Sequence, residues 1–413
     1  MSTTPEAVGP RHPQPAESIH DQRERPAQRW WEWARDGAAD LGARWAFLAP
    51  GVVYLAIRLF GLLVLSWLSA ANDETLRDNL RAWDGEWYLE IAAHGYGGVS
   101  DSMVDGYGHR SPETPLAFFP GYPVLVRLVR SFPGFGLDGA ATTVSLIAGI
   151  VAAYGLARIG RSVGGTRGVG LFLVALFAAS PMSVTLSMAY SEALFCALAV
   201  WALVGVLERN WALAGLCCAA SGLVRPTAAA LIGVVGLAAL VALFRREDGW
   251  RPLLGAVLAP AGMVLYVGWV AVQTGELGGY FALQQRGWSS AFDGGVATGK
   301  FMLETLSENK SVLETFTVWI VLAALVLLVL CVRARMPWPL VLFAFAVLAM
   351  DLGSDGLMYS KVRLLLPAFP LLIPVAIGLA NRRTTTAVCS TVLIVCFGAW
   401  FGAYALTAWS YAI

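Results

Sequence analysis

The chain has 413 residues, of which 57% are hydrophobic and only 14% are charged, and its mean hydropathy is +0.63. A soluble domain cannot bury so much apolar surface, so the composition excludes an ordinary water-soluble enzyme and indicates an all-α polytopic membrane protein. The net charge of +1 gives no electrostatic reason to expect nucleic acid as a partner.

The chain is predicted to consist of a tail and a transmembrane domain. Residues 1–45 are rich in Pro, Arg, Glu and Gln, which predicts a partly disordered N-terminal tail. Residues 46–413 contain about eleven apolar runs, and each is expected to form a transmembrane helix. These runs lie at about 46–70, 138–157, 168–188, 190–207, 211–224, 226–244, 253–274, 312–332, 337–352, 362–380 and 385–409.

The short segments between these runs predict the orientation. Those at 158–167, 245–252, 333–336 and 381–384 each contain two or three arginines. Because Lys and Arg are enriched on the cytoplasmic side, these segments and the N-terminus are expected to face the cytoplasm across the cell membrane. The two long loops, which span about 71–137 and 275–311, then both lie on the extracytoplasmic face.

Residues 81–91 (RAWDGEWYLEI) place three acids, two tryptophans and a tyrosine in the first long loop. Asp84 is predicted to cap a short interfacial helix, to act as a general base on an acceptor hydroxyl, or to do both. Trp83, Trp87 and Tyr88 either stack on a sugar ring or belong to the aromatic belt at the headgroups.

Asp84 and Glu86 also form an Asp-x-Glu sequence. In soluble glycosyltransferases an Asp-x-Asp pair holds the metal that bridges a nucleotide diphosphate. Nucleotide sugars are normally absent outside the cytoplasm, so a donor on that face has to be carried by a lipid. The His and Cys residues show no metal-ligand spacing, and we expect neither a metal nor another cofactor.

Two motifs in the first loop resemble those of a known family. Residues 81–96 (RAWDGEWYLEIAAHGY) resemble the first-loop signature of the PIG-V family, the second mannosyltransferase of GPI-anchor synthesis, and of its bacterial relatives. Residues 118–123 (FFPGYP) are similar to that family's next motif. Residues 190–192 (YSE) and 225–226 (RP) fall where the family has a Ser-Glu turn and an Arg turn, although Thr227 after the second departs from the eukaryotic pattern.

This resemblance implies a GT-C-like architecture and an inverting mannosyltransferase. The expected donor is a polyprenyl-phosphate-mannose lipid, and the expected acceptor is a glycolipid or cell-envelope glycan on the extracytoplasmic face. Trp83 and Asp84 carry over as the critical pair. Asp84 is the expected base, with Glu192 as the second candidate.

Transfer from a lipid phosphate also requires cations that stabilise the departing phosphate. The candidates are Arg225, Lys361 and Arg363, the last two being either phosphate ligands or cations that snorkel from a helix end. The neighbouring Asp351 and Asp355 are typical of solvated turn residues.

Several alternatives stay open at this stage. A transferase of the same architecture that uses a pentose or glucose donor is the nearer alternative, since no residue reads the hydroxyl stereochemistry of the sugar. A transporter or flippase of a lipid-linked sugar would place ionisable residues at mid-bilayer and show internal repeats, and only Arg58 fits. Arg58 is expected to pair with an acid of another helix or to reach the lipid phosphate. Loop 275–311 is either a mobile lid or a spacer.

Overall fold

The structure, a computed structural model, describes residues 26–308, 310–356 and 358–409, with side chains from residue 45 onward. Most of the predicted tail over 1–45 lies outside the described side chains, so its partial disorder stays a prediction. The chain divides into two compact units, Met1–Leu48 and Ala49–Ile413. Helix α1 (Pro26–Ala71) contains the boundary, and all that follows concerns the second unit.

The first long loop folds into short helices. These are α2 (Leu76–Arg81), α3 (Asp84–His94) and α4 (Gly121–Arg130), with 3-10 turns at Tyr96–Gly98 and Thr114–Ala117. Helix α3 begins at Asp84, where an acidic side chain favours the positive end of the helix dipole. It ends just before Gly95, which has a φ of +75°, a value that suits glycine. Arg127 of α4 donates hydrogen bonds to the Ile91 and Ala92 carbonyls. These carbonyls near the C-terminal end of α3, where the helix itself leaves carbonyls without partners, are thereby paired.

The centre of the second unit consists of apolar helices. These are α5 (Leu137–Gly164), α6 (Arg167–Ala178), α7 (Glu192–Leu207), α8 (Trp211–Ser221) and α9 (Ala228–Phe244), with a 3-10 segment at Ser183–Ser187. The largest cluster of buried apolar side chains lies mainly here. Helices α5 and α6 touch backbone to backbone, since a Cβ on Gly160 would lie 2.7 Å from the Gly170 Cα. Small residues at such contacts are typical of helix packing in membranes.

The remaining helices contain the second long loop and the last membrane segments. They are α10 (Arg251–Leu258), α11 (Ala261–Thr274), α12 (Gly279–Trp288), α13 (Val296–Ser307), α14 (Val312–Arg333), α15 (Trp338–Leu352), α16 (Lys361–Leu364), α17 (Ile373–Ala380) and α18 (Thr384–Thr407), with 3-10 turns at Met358–Ser360 and Leu366–Leu372. Helix α14 begins with a reciprocal cap between Ser311 and Glu314. Pro367 and Pro370 lie in the second 3-10 turn, where prolines disfavour a regular α-helix.

Five helices of the described part are long and apolar enough to cross a membrane. A sixth crossing results if the pair Met358–Leu364 and Leu366–Ala380, bent by 56°, forms one span. The all-α polytopic class is therefore confirmed, but the predicted count of about eleven spans is not. Several predicted runs fold as apolar helices of 10–17 residues, which at about 1.5 Å per residue fall short of a bilayer core of about 30 Å.

The two long loops pack against each other. The Gln284 side chain in α12 donates a hydrogen bond of 3.0 Å to the Ala117 carbonyl. The rings of Phe118 and Trp288 meet edge to face, with their centroids 5.5 Å apart. The loops therefore meet at one end of the helices, although the side of the membrane to which this end belongs stays a prediction.

Candidate active site

A cavity of about 450 Å³ lies where the two long loops meet the turns before α9 and after α15. This volume falls in the range of small-molecule sites. Its charged lining residues are Asp84, Arg225, Asp351 and Arg363. Much of the remaining wall is aromatic, from Tyr88, Phe118, Phe119, Tyr280, Phe281, Trp288 and Phe292. The cavity thus combines apolar walls with a few charged groups, which suits a ligand that is partly apolar and partly ionic.

Asp84 reaches the cavity from the first turn of α3. Asp84 and Tyr88 are four residues apart, so they lie on one face of the helix, and both line the cavity. The cap position belongs to Trp83, whose side chain makes no cap hydrogen bond, so the capping role expected of Asp84 is not observed. Trp83 has a φ of +59°, a conformation that large side chains rarely adopt. Backbone strain of this kind recurs at functional sites.

Four charged side chains form one continuous network beside the cavity. A guanidinium nitrogen of Arg363 lies 2.6 Å from the Asp84 Oδ2, and its Nε lies 3.5 Å from the Glu192 Oε1. Arg225 lies 2.6 Å from the same Glu192 oxygen. The Glu192 side chain is 1% exposed, whereas that of Asp84 is 28% exposed. One buried carboxylate therefore links two arginines, and a more accessible carboxylate completes the charge balance.

Neighbouring groups keep this network charged and fixed. Burial acts most strongly and lowers the pKa of Arg225, but the charges of Glu192, Tyr88 and Asp84 together outweigh it, and the net pKa is raised. Arg225 also donates a hydrogen bond of 3.2 Å to the Ser191 hydroxyl, which lies 2.9 Å from the Tyr88 hydroxyl. Burial raises the pKa of Tyr88 to about 12, so its phenol stays protonated at neutral pH. The Arg363 guanidinium lies 5.3 Å from the centroid of the Tyr190 ring.

The structure places the aromatic residues of the 81–91 stretch differently from one another. Tyr88 lines the cavity, but Trp83 and Trp87 do not. Trp87 is buried against Phe118, with stacked ring centroids 5.1 Å apart, and Trp83 remains 44% exposed. Trp87 and Tyr88, three and four residues after Asp84, both lie near its face of the helix. The packing of Trp87 against Phe118, and not the spacing, therefore leaves Tyr88 as the aromatic of this stretch that lines the cavity.

The two candidate cations near the end of the chain also differ. Arg363 lines the cavity, whereas Lys361 does not. The Lys361 ammonium is buried and donates hydrogen bonds to the main-chain carbonyls of Asp351 at 2.6 Å and Ser354 at 2.9 Å. It therefore fixes the turn after α15 and does not snorkel to the surface.

Asp351 corrects an expectation from the sequence. Its residue type and position are typical of a solvated turn, yet Asp351 is 5% exposed and lines the cavity. Asp355 behaves more nearly as expected, since its carboxylate accepts a hydrogen bond of 2.7 Å from the Ala291 N–H and so stabilises a turn.

The Asp-x-Glu sequence does not form a pair of converging carboxylates. Asp84 lines the cavity, whereas Glu86 is exposed and absent from its wall. Within the part of the chain that the structure describes, no three His, Cys, Asp or Glu side chains are grouped as metal ligands.

Arg58 has no acid partner among the described residues. It is 4% exposed, and its guanidinium donates hydrogen bonds to Ser183 Oγ at 2.8 Å, Ser187 Oγ at 3.0 Å and the Ala178 carbonyl at 3.0 Å. In the described structure it forms no ion pair with an acid and does not line the cavity. It holds the 3-10 segment between α6 and α7 in place.

The sequence predicts loop 275–311 only as a lid or a spacer and does not identify the face of α12 that lines the cavity. Tyr280, Gln284 and Trp288 follow one another at intervals of four, so they form one face of this helix, and all three line the cavity. Burial raises the pKa of the Tyr280 phenol, which therefore stays neutral. The i, i+4 spacing was a usable signal, and loop 275–311 forms a wall of the site in this structure.

Comparison with known proteins gives partial matches in sequence and a broader one in structure. No family model matches the chain. GPI alpha-1,6-mannosyltransferase 2 from Cricetulus griseus is 33% identical over 150 residues, which cover 34% of this chain and 27% of that protein. The Mus musculus protein of the same name is 31% identical over 211 residues, which cover 47% and 39%. The chain thus spans well under half the length of these relatives.

A crystal structure of ArnT from Cupriavidus metallidurans bound to undecaprenyl phosphate matches with a TM-score of 0.52. The match covers 84% of this chain and 63% of that one, at 16% identity. The chain has the GT-C fold. The apo structure of the same ArnT agrees, with a TM-score of 0.50 at 17% identity.

The expected GT-C architecture is therefore confirmed, and so is the resemblance to the PIG-V family as a partial sequence similarity. At this level of identity the structural match supports the fold alone. The chemistry of this protein has to be argued from the residues of its own cavity.

Proposed function

We propose that the protein is a membrane-embedded inverting glycosyltransferase, which moves mannose from a polyprenyl-phosphate donor to a glycolipid or cell-envelope glycan. The observation that carries this proposal is the convergence of Asp84, Arg225 and Arg363 on one largely apolar cavity. The sequence relatives, which are named as mannosyltransferases, support the choice of sugar. The undecaprenyl phosphate bound by ArnT supports a lipid-phosphate donor.

The donor phosphate binds at Arg363 and Arg225, and its polyprenyl chain follows the apolar wall. Both guanidiniums are held in position before the donor arrives, because Glu192 contacts both of them. Preorganised cations stabilise the negative charge that develops on a leaving phosphate without reorganising during the reaction. Glu192 is then a positioning residue and not the base, since its carboxylate is fully buried between the two arginines.

Asp84 acts as the general base on the acceptor. Its carboxylate takes the proton of the acceptor hydroxyl while that oxygen forms a bond to the anomeric carbon of the sugar. The bond between that carbon and the phosphate oxygen breaks, and polyprenyl phosphate leaves with the electron pair. Arg363 contacts only Oδ2 of Asp84, so the other lone pairs of the carboxylate remain for the acceptor.

A transfer assay tests the proposal. Membranes that contain the native chain, a labelled polyprenyl-phosphate-mannose donor and native membrane lipids should yield a labelled glycolipid. Asp84→Asn should insert normally and lower the rate by about 10²- to 10⁴-fold, the usual contribution of a general base. Asp138→Asn is the matched control, because Asp138 also pairs with an arginine, Arg77 at 2.6 Å, but lies outside the cavity.

Other outcomes of this assay separate the alternatives. Transfer of a pentose or glucose but not mannose would keep the reaction class and correct the sugar. Movement of labelled lipid-sugar across vesicles without any transfer would favour a transporter. An active Asp84→Asn variant would remove Asp84 as the base.

The proposed site faces the outside of the cell membrane. Leu277 lies in the second long loop, just before α12, and is 95% exposed. Leu277→Cys should therefore react with a membrane-impermeant thiol reagent in intact cells. Arg335→Cys, in a predicted cytoplasmic turn, should react only after the cells are opened. The opposite pattern of labelling would reverse the orientation.

A further inference from the structure

The charge network leaves one charged group of the cavity wall unused. Asp351 is 5% exposed, and neither of its carboxylate oxygens has a hydrogen-bond partner within the described residues. Buried polar groups in proteins nearly always have such a partner, because a buried carboxylate without one is strongly destabilising. Since Asp351 lines the cavity, a bound ligand can supply the missing hydrogen bonds.

The surroundings of Asp351 favour a neutral ligand group over a cation. Lys361 is buried beside it and bonds to its main-chain oxygen, and Arg363 lines the same cavity. These two cations repel a third positive charge, and a metal ion would need further ligands, which the described part of the chain does not group here. Hydroxyl groups, by contrast, donate strong hydrogen bonds to a carboxylate without bringing any charge.

The end of α15, which carries Asp351, and the turn after it are fixed against the rest of the site. Lys361 bonds to the carbonyls of Asp351 and Ser354, and Ser354 pairs with Phe292 of the second long loop through an isolated β-bridge. Both Ser354 and Phe292 line the cavity. These contacts fix the main chain from which the Asp351 side chain extends, and recognition of a particular ring geometry requires such a fixed support.

We infer that Asp351 binds the sugar, by accepting hydrogen bonds from the hydroxyls of a sugar ring in the cavity. This inference rests on the proposed function and extends it to the recognition of the substrate. The ring belongs either to the donor or to the acceptor, since both carry the same hydroxyl chemistry and must meet near Asp84 and Arg363. Lys361 acts through Asp351 as a positioning residue.

Binding measurements on the full chain in lipid nanodiscs test this assignment apart from catalysis. The probes are undecaprenyl phosphate and undecaprenyl-phosphate-mannose. The native chain should bind undecaprenyl-phosphate-mannose more tightly than undecaprenyl phosphate. Asp351→Asn should reduce this ratio of affinities at least tenfold while it binds undecaprenyl phosphate normally. Asp138→Asn makes the same charge change outside the cavity wall and should bind both lipids as the native chain does.

A series of donors that each lack one ring hydroxyl sharpens the result. The donor without the contacted hydroxyl should bind the native chain and Asp351→Asn equally. If Asp351→Asn binds both lipids normally but raises the KM for the acceptor at least tenfold, the contacted ring is that of the acceptor.

The remaining outcomes overturn the inference. Equal weakening of both lipids by Asp351→Asn would show a structural role only, and unchanged binding with an unchanged KM would show no role. If the native chain binds neither lipid, the proposed function fails, and the inference fails with it.

Discussion

Two buried arginines in this protein have opposite surroundings. Arg58 and Arg363 are each 4% exposed. Arg363 contacts the carboxylates of Asp84 and Glu192, beside a cavity. Arg58 contacts only neutral acceptors, such as Ser183, and lies away from that cavity. Burial of an arginine in a membrane protein therefore does not by itself mark a functional site.

The groups around Arg58 and around Arg363 form two clusters, which differ in whether a ligand can reach the contacts of the arginine. Serine hydroxyls and a carbonyl can hold the Arg58 guanidinium, but nothing outside the protein reaches them. Arg363 faces a cavity, so a phosphate can share or replace its contact with Asp84. The first cluster is thus expected to contribute to stability and the second to activity, and four experiments test this distinction.

The largest effect is expected for Glu192→Gln. This change removes the negative charge that Arg225 and Arg363 share, and breaking a buried ion pair typically costs about 3–5 kcal/mol. We expect a marked drop in thermal stability and a loss of transfer of at least about 10²-fold. Glu208→Gln, which breaks an exposed pair with Arg158, should cost less than about 1 kcal/mol. Equal effects of the two variants would contradict the role of Glu192.

A smaller effect is expected for Arg363→Lys. A lysine keeps the charge, but its single ammonium cannot reproduce the planar fork that contacts Asp84 and Glu192 together. Transfer should fall by about 10- to 100-fold, the range expected when one stabilising interaction is lost, with a higher KM for the lipid donor. Arg58→Lys is the comparison, and it should transfer at the native rate. If Arg363→Lys transfers at the native rate, the simultaneous contact of Arg363 with Asp84 and Glu192 is not required by the mechanism.

Arg58→Leu should change stability without changing the chemistry. The guanidinium makes three hydrogen bonds that leucine cannot make, so unfolding should become easier by about 1–3 kcal/mol. Thermal unfolding in detergent measures this change. Transfer per folded molecule should stay within about twofold of the native value, because Arg58 shares no contact partner with Arg363 and the effects of such independent residues are usually separate. A folded but inactive variant would show that the two clusters are coupled.

The smallest effect is expected from chelation. The positive charge opposite the leaving phosphate comes from Arg225 and Arg363 in the proposed mechanism, so EDTA should change the rate by less than about twofold. The assay is the same lipid-linked transfer, with and without chelator. Activity that EDTA abolishes and Mn²⁺ or Mg²⁺ restores would reveal a metal requirement.

Some parts of this architecture follow directly from the sequence. The helical membrane class follows from composition, and the fold was expected from the motifs around Asp84 and 118–123. The count of spans was not predictable, because hydropathy averages over short helices and the 3-10 turns between them. The break at Leu366–Leu372 is an example, since its apolar residues continue the run while its prolines interrupt the helix.

Within the site, the sequence did not predict which side chains point into the cavity. Lys361 and Arg363 are two residues apart and chemically similar, yet only one of them lines the cavity. Residues at this spacing point in different directions on a helix, and tertiary packing alone decides which direction is inward. Asp351 lies in the last turn of α15, a position that suggests solvent, yet it is buried. Lys361 bonds to its main-chain oxygen, and Phe292 of the second long loop pairs with the nearby Ser354. Patterns of residue type identified the candidates but not their directions.

The ion pair between Asp84 and Arg363 also has a consequence for biosynthesis. These partners are 279 positions apart in the chain, and at about 5–20 residues per second a ribosome needs roughly 15–60 s to make that length. Throughout this time Asp84 is already synthesised but has no cation from α16 to contact. The ion pair between Asp84 and Arg363 can therefore form only once synthesis has reached the last third of the chain.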